Sequence, residues 1–295
     1  MNTTLKPPFW AYLQLMRPAN IVTAWADILA GFAAAGIGID WVPLVWLLLA
    51  TTGLYGGGVV FNDVFDAELD AQERPERPIP SDRISRTAAI GLGSVLLAVG
   101  ILAAAQVSLA STILAGAIAL AALVYDAYSK HHPLLGPLNM GLCRGGNLLL
   151  GISAVPAATL EQPFLALIPI AYIAAVTAIS QGEVHGGKSR TGWGALALLA
   201  LVLGSLIALG LLPNYALLRA LPFVLLLAGR VLPPFIQATR HPSAEFIRAA
   251  VKRGVLSLIL LDASLAAGFA DSLAGLLVLG LLPLSIALAR LFTVT

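Results

Sequence analysis

Charge is what this chain has least of. Its 295 residues include 17 Lys and Arg and 15 Asp and Glu, 11% in all, against roughly 25% in soluble domains. That shortage excludes an ordinary soluble fold. Cysteine is nearly absent too: Cys143 stands alone, so no disulfide within the chain and no CxxC metal site is available, and it reads as a buried structural residue. The formal net charge of +2 is too small to argue for nucleic acid, and no nucleic-acid partner is expected. No cleavable leader is expected either, because the first apolar run begins after eighteen residues and many more follow it.

What the chain has instead is hydrophobic length. Apolar residues make up 59% of the sequence and mean hydropathy is +0.90. A hydrocarbon core of about 30 Å takes roughly 20 helical residues to cross. Ten runs qualify, near 19–39, 43–61, 87–105, 107–125, 137–156, 163–181, 193–212, 217–236, 254–270 and 273–292. The ninth is short, and a re-entrant segment there would leave nine. The expected fold is all-α: a polytopic transmembrane bundle of nine or ten helices, forming a single integral-membrane domain over residues 1–295. Basic residues crowd alternate loops: Lys6 and Arg17, then Arg74 to Arg86, Lys130, Lys188 and Arg190, and Arg240 to Arg253. The opposite loops carry Asp40, Glu161 and Asp271, with Arg219 as the exception. The positive-inside rule then places the N-terminus and the 62–70 segment on the cytoplasmic side.

That segment, Asn62-Asp63-Val64-Phe65-Asp66-Ala67-Glu68-Leu69-Asp70, is acidic at the end of an apolar run. On a helix, Asp63, Asp66 and Asp70 fall within about 60° of one another, so three carboxylates would share one small volume and repel. A hard divalent cation relieves this, and Mg2+ characteristically takes one or two carboxylates together with phosphate oxygens and water. Arg74 and Arg77 follow at once, and guanidinium groups bind phosphate bidentately; the solvated charged loop is the alternative for these two. Pro75, Pro78 and Pro80 stop the helix. Two more cytoplasmic edges are polar, Tyr125-Asp126-Ala127-Tyr128-Ser129-Lys130 and Gln181-Gly182-Glu183-Val184-His185-Gly186-Gly187-Lys188, and with the first they would form one mouth. At membrane depth, Asp27, Arg144, Asn147, Arg230 and Asp262 are each costly and therefore candidates. Arg144 lies near Asn139 and Asn147 in a glycine-rich run that suggests a polar pocket.

The run Asn62-Asp63-x-x-Asp66-x-x-x-Asp70 followed by Arg77-Pro78-Ile79-Pro80-Ser81 resembles the UbiA superfamily of intramembrane prenyltransferases. Arg17-Pro18-Ala19-Asn20 and the pattern Tyr125, Lys130, Arg144, Gly145 look like the same family, and the likeness runs from about residue 17 to 190. It implies a bundle around a cavity open to the cytoplasm, with Mg2+ holding an isoprenyl diphosphate between two acidic motifs. Carried over residue by residue, the first metal set is Asn62, Asp63, Asp66 and Asp70. The second motif departs from the family: Glu183 can stand for one acid, but Gly186 and Gly187 occupy the places of the other. The Gly182-to-Gly187 stretch looks like the EboC-like branch.

The resemblance then assigns Arg74, Arg77, Lys130 and Lys188 to the diphosphate, with Asp63, Asp66, Lys130 and Glu183 as the catalytic group. Asn20, Tyr125, Asp126, Asn139, Arg144 and His185 would border the substrate pocket. Tyr125 or Tyr172 would shield an allylic cation, and Asp126, Glu183 and His185 are candidates for the base. The partners implied are an isoprenyl diphosphate, an unidentified small-molecule or lipid acceptor, and membrane lipids. Two other classes compete. CDP-alcohol phosphotransferases need Gly after the second acid, where this chain has Ala67; a carrier on a prenyltransferase scaffold would explain the weakened second motif.

Overall fold

The computed structural model describes residues 8–36, 38 and 40–292; Lys6 lies outside them. Every regular element among the described residues is helical. The chain enters through α1 (Pro8–Met16) and α2 (Pro18–Ala34), and returns along α3 (Trp41–Phe65), which passes into the short α4 (Ala67–Glu73). A proline-punctuated loop leads to α5 (Arg86–Ala105) and α6 (Leu109–Val124), which ends in a π-helical turn at Tyr125–Ser129. Then come α7 (Leu135–Ile152), α8 (Pro156–Glu161), α9 (Leu167–Ser180), α10 (Ser189–Ala208), α11 (Leu217–Arg240) and α12 (Ala244–Phe269). The chain finishes with α13 (Ser272–Leu279) and α14 (Leu281–Leu291).

Each of the ten apolar runs read from the sequence is helical, and among the described residues seven helices are long and apolar enough to cross a membrane by length and composition. The expected polytopic helical bundle is thus met, and its count of nine or ten spans is met in part. The three that fall short are α2, α7 and α12, and the reason is physical. The first has 17 residues; α7 carries Asn139, Arg144 and Asn147; α12 carries Lys252, Arg253 and Asp262. These helices are shielded by the others, so they can carry polar groups that a lipid-facing helix could not. Residues Leu256 to Gly268 of α12 are all buried, whereas α5, α6 and α10 turn many leucines and valines outward, as a multi-pass membrane protein requires.

Without water to expel between apolar surfaces, close packing decides which helices meet, and small residues permit it. A Cβ on Gly31 of α2 would sit 2.2 Å from the Leu148 carbonyl oxygen of α7, and one on Gly53 of α3 would sit 2.4 Å from that of Leu96 in α5. Gly57, one of the three consecutive glycines of α3, packs against Leu97. Both ends of the described chain meet at one face: Trp10 stacks on Phe292 with ring centroids 4.6 Å apart, and the Ser285 hydroxyl donates to the Ala19 carbonyl at 2.8 Å.

Gly31→Val and Gly53→Val are expected to lower stability by about 1–3 kcal/mol through overpacking, read as a fall in thermal midpoint in detergent. Gly91→Ala, where an added Cβ meets nothing within 4 Å, should leave the midpoint unchanged.

Candidate active site

The acidic segment does not lie on one continuous helix. Asp63 belongs to α3, Asp66 sits at the junction with φ −87° and ψ 0°, and Asp70 belongs to α4. The i to i−4 ladder nevertheless bridges the bend, since the Asp66 N–H donates to Asn62 O at 3.0 Å and the Asp70 N–H to Asp66 O at 2.7 Å. The carboxylates therefore still converge, and basic side chains hold them together. Arg17 Nη2 meets Asp63 Oδ1 at 2.6 Å, and Arg77 Nη1 bridges Asp63 at 3.3 Å and Asp70 at 2.7 Å. Lys130 pairs with Asp66. Burial still pushes the Asp70 carboxyl above its ordinary range against the opposing pull of Arg77.

Two elements were built to deliver these cations. Arg17 adopts the left-handed conformation, φ 48° and ψ 67°, directly before Pro18, a strained geometry for a non-glycine residue, of the kind that gathers at functional sites. Lys130 follows the π-turn. In that turn the Lys130 N–H donates to Tyr125 O at 3.0 Å, five residues back; the Lys130 side chain reaches Asp66 and Asp126 stays buried.

Three cavities meet here. The outermost, about 410 Å³, is lined by Gln14, Asp63, Glu73, Glu76, Arg83, Glu183 and Arg248, with Arg17, Arg74 and Arg77. A central one of about 290 Å³ carries Asn20, Asp66, Asp70, Arg74, Arg77 and Glu183 at one end and an apolar wall of Ile173, Val176, Val251, Val255 and Leu258 from α9 and α12 at the other. A side chamber of about 200 Å³ runs between α3, α6 and α7, lined by Leu54, Val59, Ile118, Ala122, Cys143 and Asp126 among others. The central cavity and side chamber share Arg17, Tyr55, Asn62, Tyr125, Met140 and Arg144.

Among the residues singled out from the sequence, Asn20, Asn62, Asp63, Asp66, Asp70, Arg74, Arg77, Tyr125, Asp126, Arg144 and Glu183 thus line this connected space, and Lys130 reaches it through Asp66. Three others do not. Lys188 and His185 are exposed and line none of these cavities. Asn139 is turned to Ser129 Oγ at 3.0 Å. Tyr172 is also elsewhere: fully buried, it donates to the Gly254 carbonyl at 2.8 Å. Two important residues gave no clear signal in the sequence. Tyr55 is one apolar-looking residue within a long span, although the Arg144 guanidinium lies 5.0 Å from its ring centroid. Arg17 appeared as a basic loop residue and in a short motif, without a role at the site, yet it lines all three cavities.

Behind the site, Arg144 and Asn147 are fastened to α2. Arg144 Nη1 donates to Asp27 Oδ2 at 2.6 Å and its Nη2 donates to the Thr23 hydroxyl, while Asn147 Nδ2 donates to Asp27 at 2.8 Å and Asn147 Oδ1 accepts from the Thr51 hydroxyl at 2.7 Å. The buried charge of Asp27 is thereby paired.

The second acidic stretch is a tight loop. Gly186 has φ +85°, a Cβ on Gly182 would sit 2.8 Å from Gly187 Cα, and the Gly187 N–H donates to Pro242 O at 2.9 Å. An aspartate would be strained at 186 and crowded by Ile247 at 187. Glu183 is left alone: Oε1 is buried without a hydrogen-bond partner among the described residues, and burial raises its carboxyl above the ordinary range despite Arg74, Arg248, Arg17 and Arg77 nearby.

No three His, Cys, Asp or Glu side chains among the described residues form a ready cage for a metal ion. The donor set fits Mg2+ all the same, because that ion takes few carboxylates and completes its shell with phosphate and water. The carboxylates already bracket a cation, the Arg77 guanidinium.

Known proteins resemble this chain in sequence and in fold. Digeranylgeranylglyceryl phosphate synthase of Methanothrix thermoacetophila is 35% identical over 147 residues, 49% of this chain and 55% of that protein. The protein of the same name from Ignicoccus hospitalis is 30% identical over 214 residues, 72% and 67% of the two chains. Over most such relatives the chain spans about half of their length. A solved UbiA homolog from Archaeoglobus fulgidus superposes with a TM-score of 0.68 at 17% identity, covering 92% of this chain and 99% of that one. The same homolog bound to DMAPP and Mg2+ gives 0.61 at 17% identity over 82% and 99%. The model of the UbiA prenyltransferase family matches residues 21–239, and the chain belongs to that family.

Proposed function

We propose that this protein is an intramembrane prenyltransferase that ionises an isoprenyl diphosphate and transfers its prenyl group to a small acceptor. The observation that carries the reading is the set of three carboxylates, bridged by Arg17, Arg77 and Lys130, at the head of a cavity whose far wall is apolar. A diphosphate with a hydrocarbon tail has that same polarity along its length. Burying such a tail is worthwhile, at about 0.8 kcal/mol per CH₂.

Mg2+ would be held by Asp63, Asp66 and Asp70, where it would supply charge for the leaving diphosphate; the A. fulgidus homolog solved with DMAPP and Mg2+ supports this cofactor. Asn62 belongs to the same set: its amide nitrogen donates to Asp126 at 2.9 Å, and its carbonyl oxygen is the atom that would take part. Arg17, Arg77 and Lys130 are positioned to exchange their carboxylate partners for phosphate oxygens and, with Arg74, to stabilise the charge that develops there. The Arg74 guanidinium lines both the central and the outer cavity. Tyr55 and Tyr125 border both inner cavities, and their rings would shield positive charge on the allylic carbon. Lys188, His185 and Asn139 have no part in this scheme.

All ten apolar helices cross the bilayer in this reading, with α13 and α14 as one pass, and residues 1–295 form one domain. Support comes from the meeting of both chain ends at one face, which an even number of crossings produces. The loop charges orient that face, and the acidic site, toward the cytoplasm. Within the family, the archaeal relatives favour a digeranylgeranylglyceryl-phosphate-synthase-like enzyme acting on a lipid alcohol. The EboC-like placement rests on the glycine loop alone.

Asp63→Asn and Asp66→Asn should each lower Mg2+-dependent pyrophosphate release at least about 100-fold, in line with the loss of a main electrostatic stabiliser. EDTA should abolish release from the wild type, and added Mg2+ should restore it. Tight diphosphate binding with no release under any acceptor would favour a carrier instead. Because Glu183 has no second acid beside it, Glu183→Gln should cost less than either aspartate variant, about 10-fold or under; a loss equal to that of Asp63→Asn would show that a second metal depends on it.

A further inference from the structure

Among the buried carboxylates that the mechanism above does not use, Asp126 is the one that borders the side chamber. Asp126 is 4% exposed and lines the side chamber, but it is absent from the lining of the central cavity where Asp66 and Asp70 stand. It forms no ion pair with the described residues: the nearest cation along its own turn, Lys130, is taken by Asp66. Its one hydrogen bond comes from Asn62 Nδ2 at 2.9 Å, to Oδ1. The sequence places it between Tyr125 and Ala127 in the π-turn that closes α6, four residues before Lys130.

A carboxylate buried without a cation is costly unless a hydrogen-bond donor satisfies it. Asn62 serves one oxygen, and a ligand in the chamber is placed to serve the other. The rest of the chamber says what that ligand is. Its walls are mainly apolar, from Leu54, Val59, Ile118 and Ala122. The one guanidinium at depth, Arg144, is already paired with Asp27 at 2.6 Å, so an acceptor anion at that depth would find no free cation. The chamber follows α3 from Asn62 to Thr51, about 16 Å at 1.5 Å per residue. The two cavities divide accordingly: the central one matches a diphosphate with its tail along α9 and α12, and the side chamber matches an apolar body bearing an uncharged hydrogen-bond donor.

We infer that Asp126 is the acceptor-binding residue of this enzyme, holding the hydroxyl group of an amphiphilic alcohol in the side chamber. The inference rests on the transferase reading and deepens it. In the transfer step the bond between the allylic carbon and the diphosphate oxygen breaks, and its electron pair leaves with pyrophosphate. The acceptor oxygen forms the new carbon–oxygen bond. Its proton passes to the Asp126 carboxylate, so the product is an ether and the balance is complete. Asn62 acts as a positioning residue, joining the acceptor carboxylate to the helix that carries Asp63.

The test uses the purified full-length protein with Mg2+, GPP as donor, and an uncharged long-chain glyceryl diether bearing one free hydroxyl. A second compound has that hydroxyl methylated. Both ether product and released pyrophosphate are measured. The ratio of ether to pyrophosphate should fall at least 10-fold in Asp126→Asn; a ratio equal to that of the wild type, whether or not overall turnover drops, overturns the assignment. Binding supplies the second readout, independent of turnover and of the transferase reading: the hydroxyl compound should bind the wild type at least 5-fold more tightly than its methyl ether, and Asp126→Asn should remove that preference. Equal binding of the two compounds to the wild type would sink the idea. Ala122→Leu, which fills the chamber without touching a carboxylate, should weaken both compounds alike, and unaltered binding there would place the acceptor elsewhere.

Discussion

Charge neutralisation at an apolar boundary is the constraint on which this structure depends. Three aspartates stand where an otherwise uncharged helix leaves the hydrophobic zone, and they would repel one another if left alone. Arg17, Arg77 and Lys130 come from three different parts of the chain to hold them. Each delivery imposes a local cost or irregularity: a left-handed arginine before a proline, a proline-rich loop that turns back on α4, and a π-turn at the end of α6. Regular helices would have left the carboxylates without partners. The same arrangement holds a cation between acids and keeps basic groups ready for phosphate, so structural neutralisation and substrate chemistry draw on one set of contacts.

A second polar layer supports the first. Arg144, Asn147 and Asp27 are bonded together inside the bundle, with Thr23 and Thr51 completing the network. Breaking a buried ion pair of this kind by removing one partner costs about 3–5 kcal/mol, which is why α2 and α7 stay in register behind the cavities. The glycine contacts between these two helices bring their backbones close enough for the short side chains to reach. Packing and polarity thus cooperate: close approach permits the network, and the network fixes the wall that Arg144 and Tyr55 present to both inner cavities.

Helices, their order and the acidic motif were legible in the sequence because each has a strong local signature. Long apolar runs marked the helices, and three carboxylates in a region poor in charge marked the site. Misreadings arose where local pattern and three-dimensional path diverge. Lys188 and His185 lie near Glu183 along the chain, but the glycine loop turns them outward. Asn139 shares a segment with Arg144 but is satisfied by Ser129. The three central helices were read as spans equivalent to the rest, although their polar content distinguishes them as the inner ones.

The sequence by itself determined that this is a multi-pass helical membrane protein, since only helices and closed barrels satisfy every backbone polar group in hydrocarbon, and continuous apolar runs of about 20 residues suit helices and not barrel strands. It also determined that carboxylates, arginines and a lysine would be available at one boundary, because composition and spacing are properties of the chain alone. Only the tertiary structure decided which of them meet. Partner choice between Lys130 and Asp66, the shielding of Arg144 by Asp27, the division into two inner cavities and the placement of Asp126 in the one without metal-motif acids all depend on contacts between helices far apart along the chain. Such contacts are set by how backbones approach and where a turn gains a residue, and neither leaves a periodic trace in the sequence.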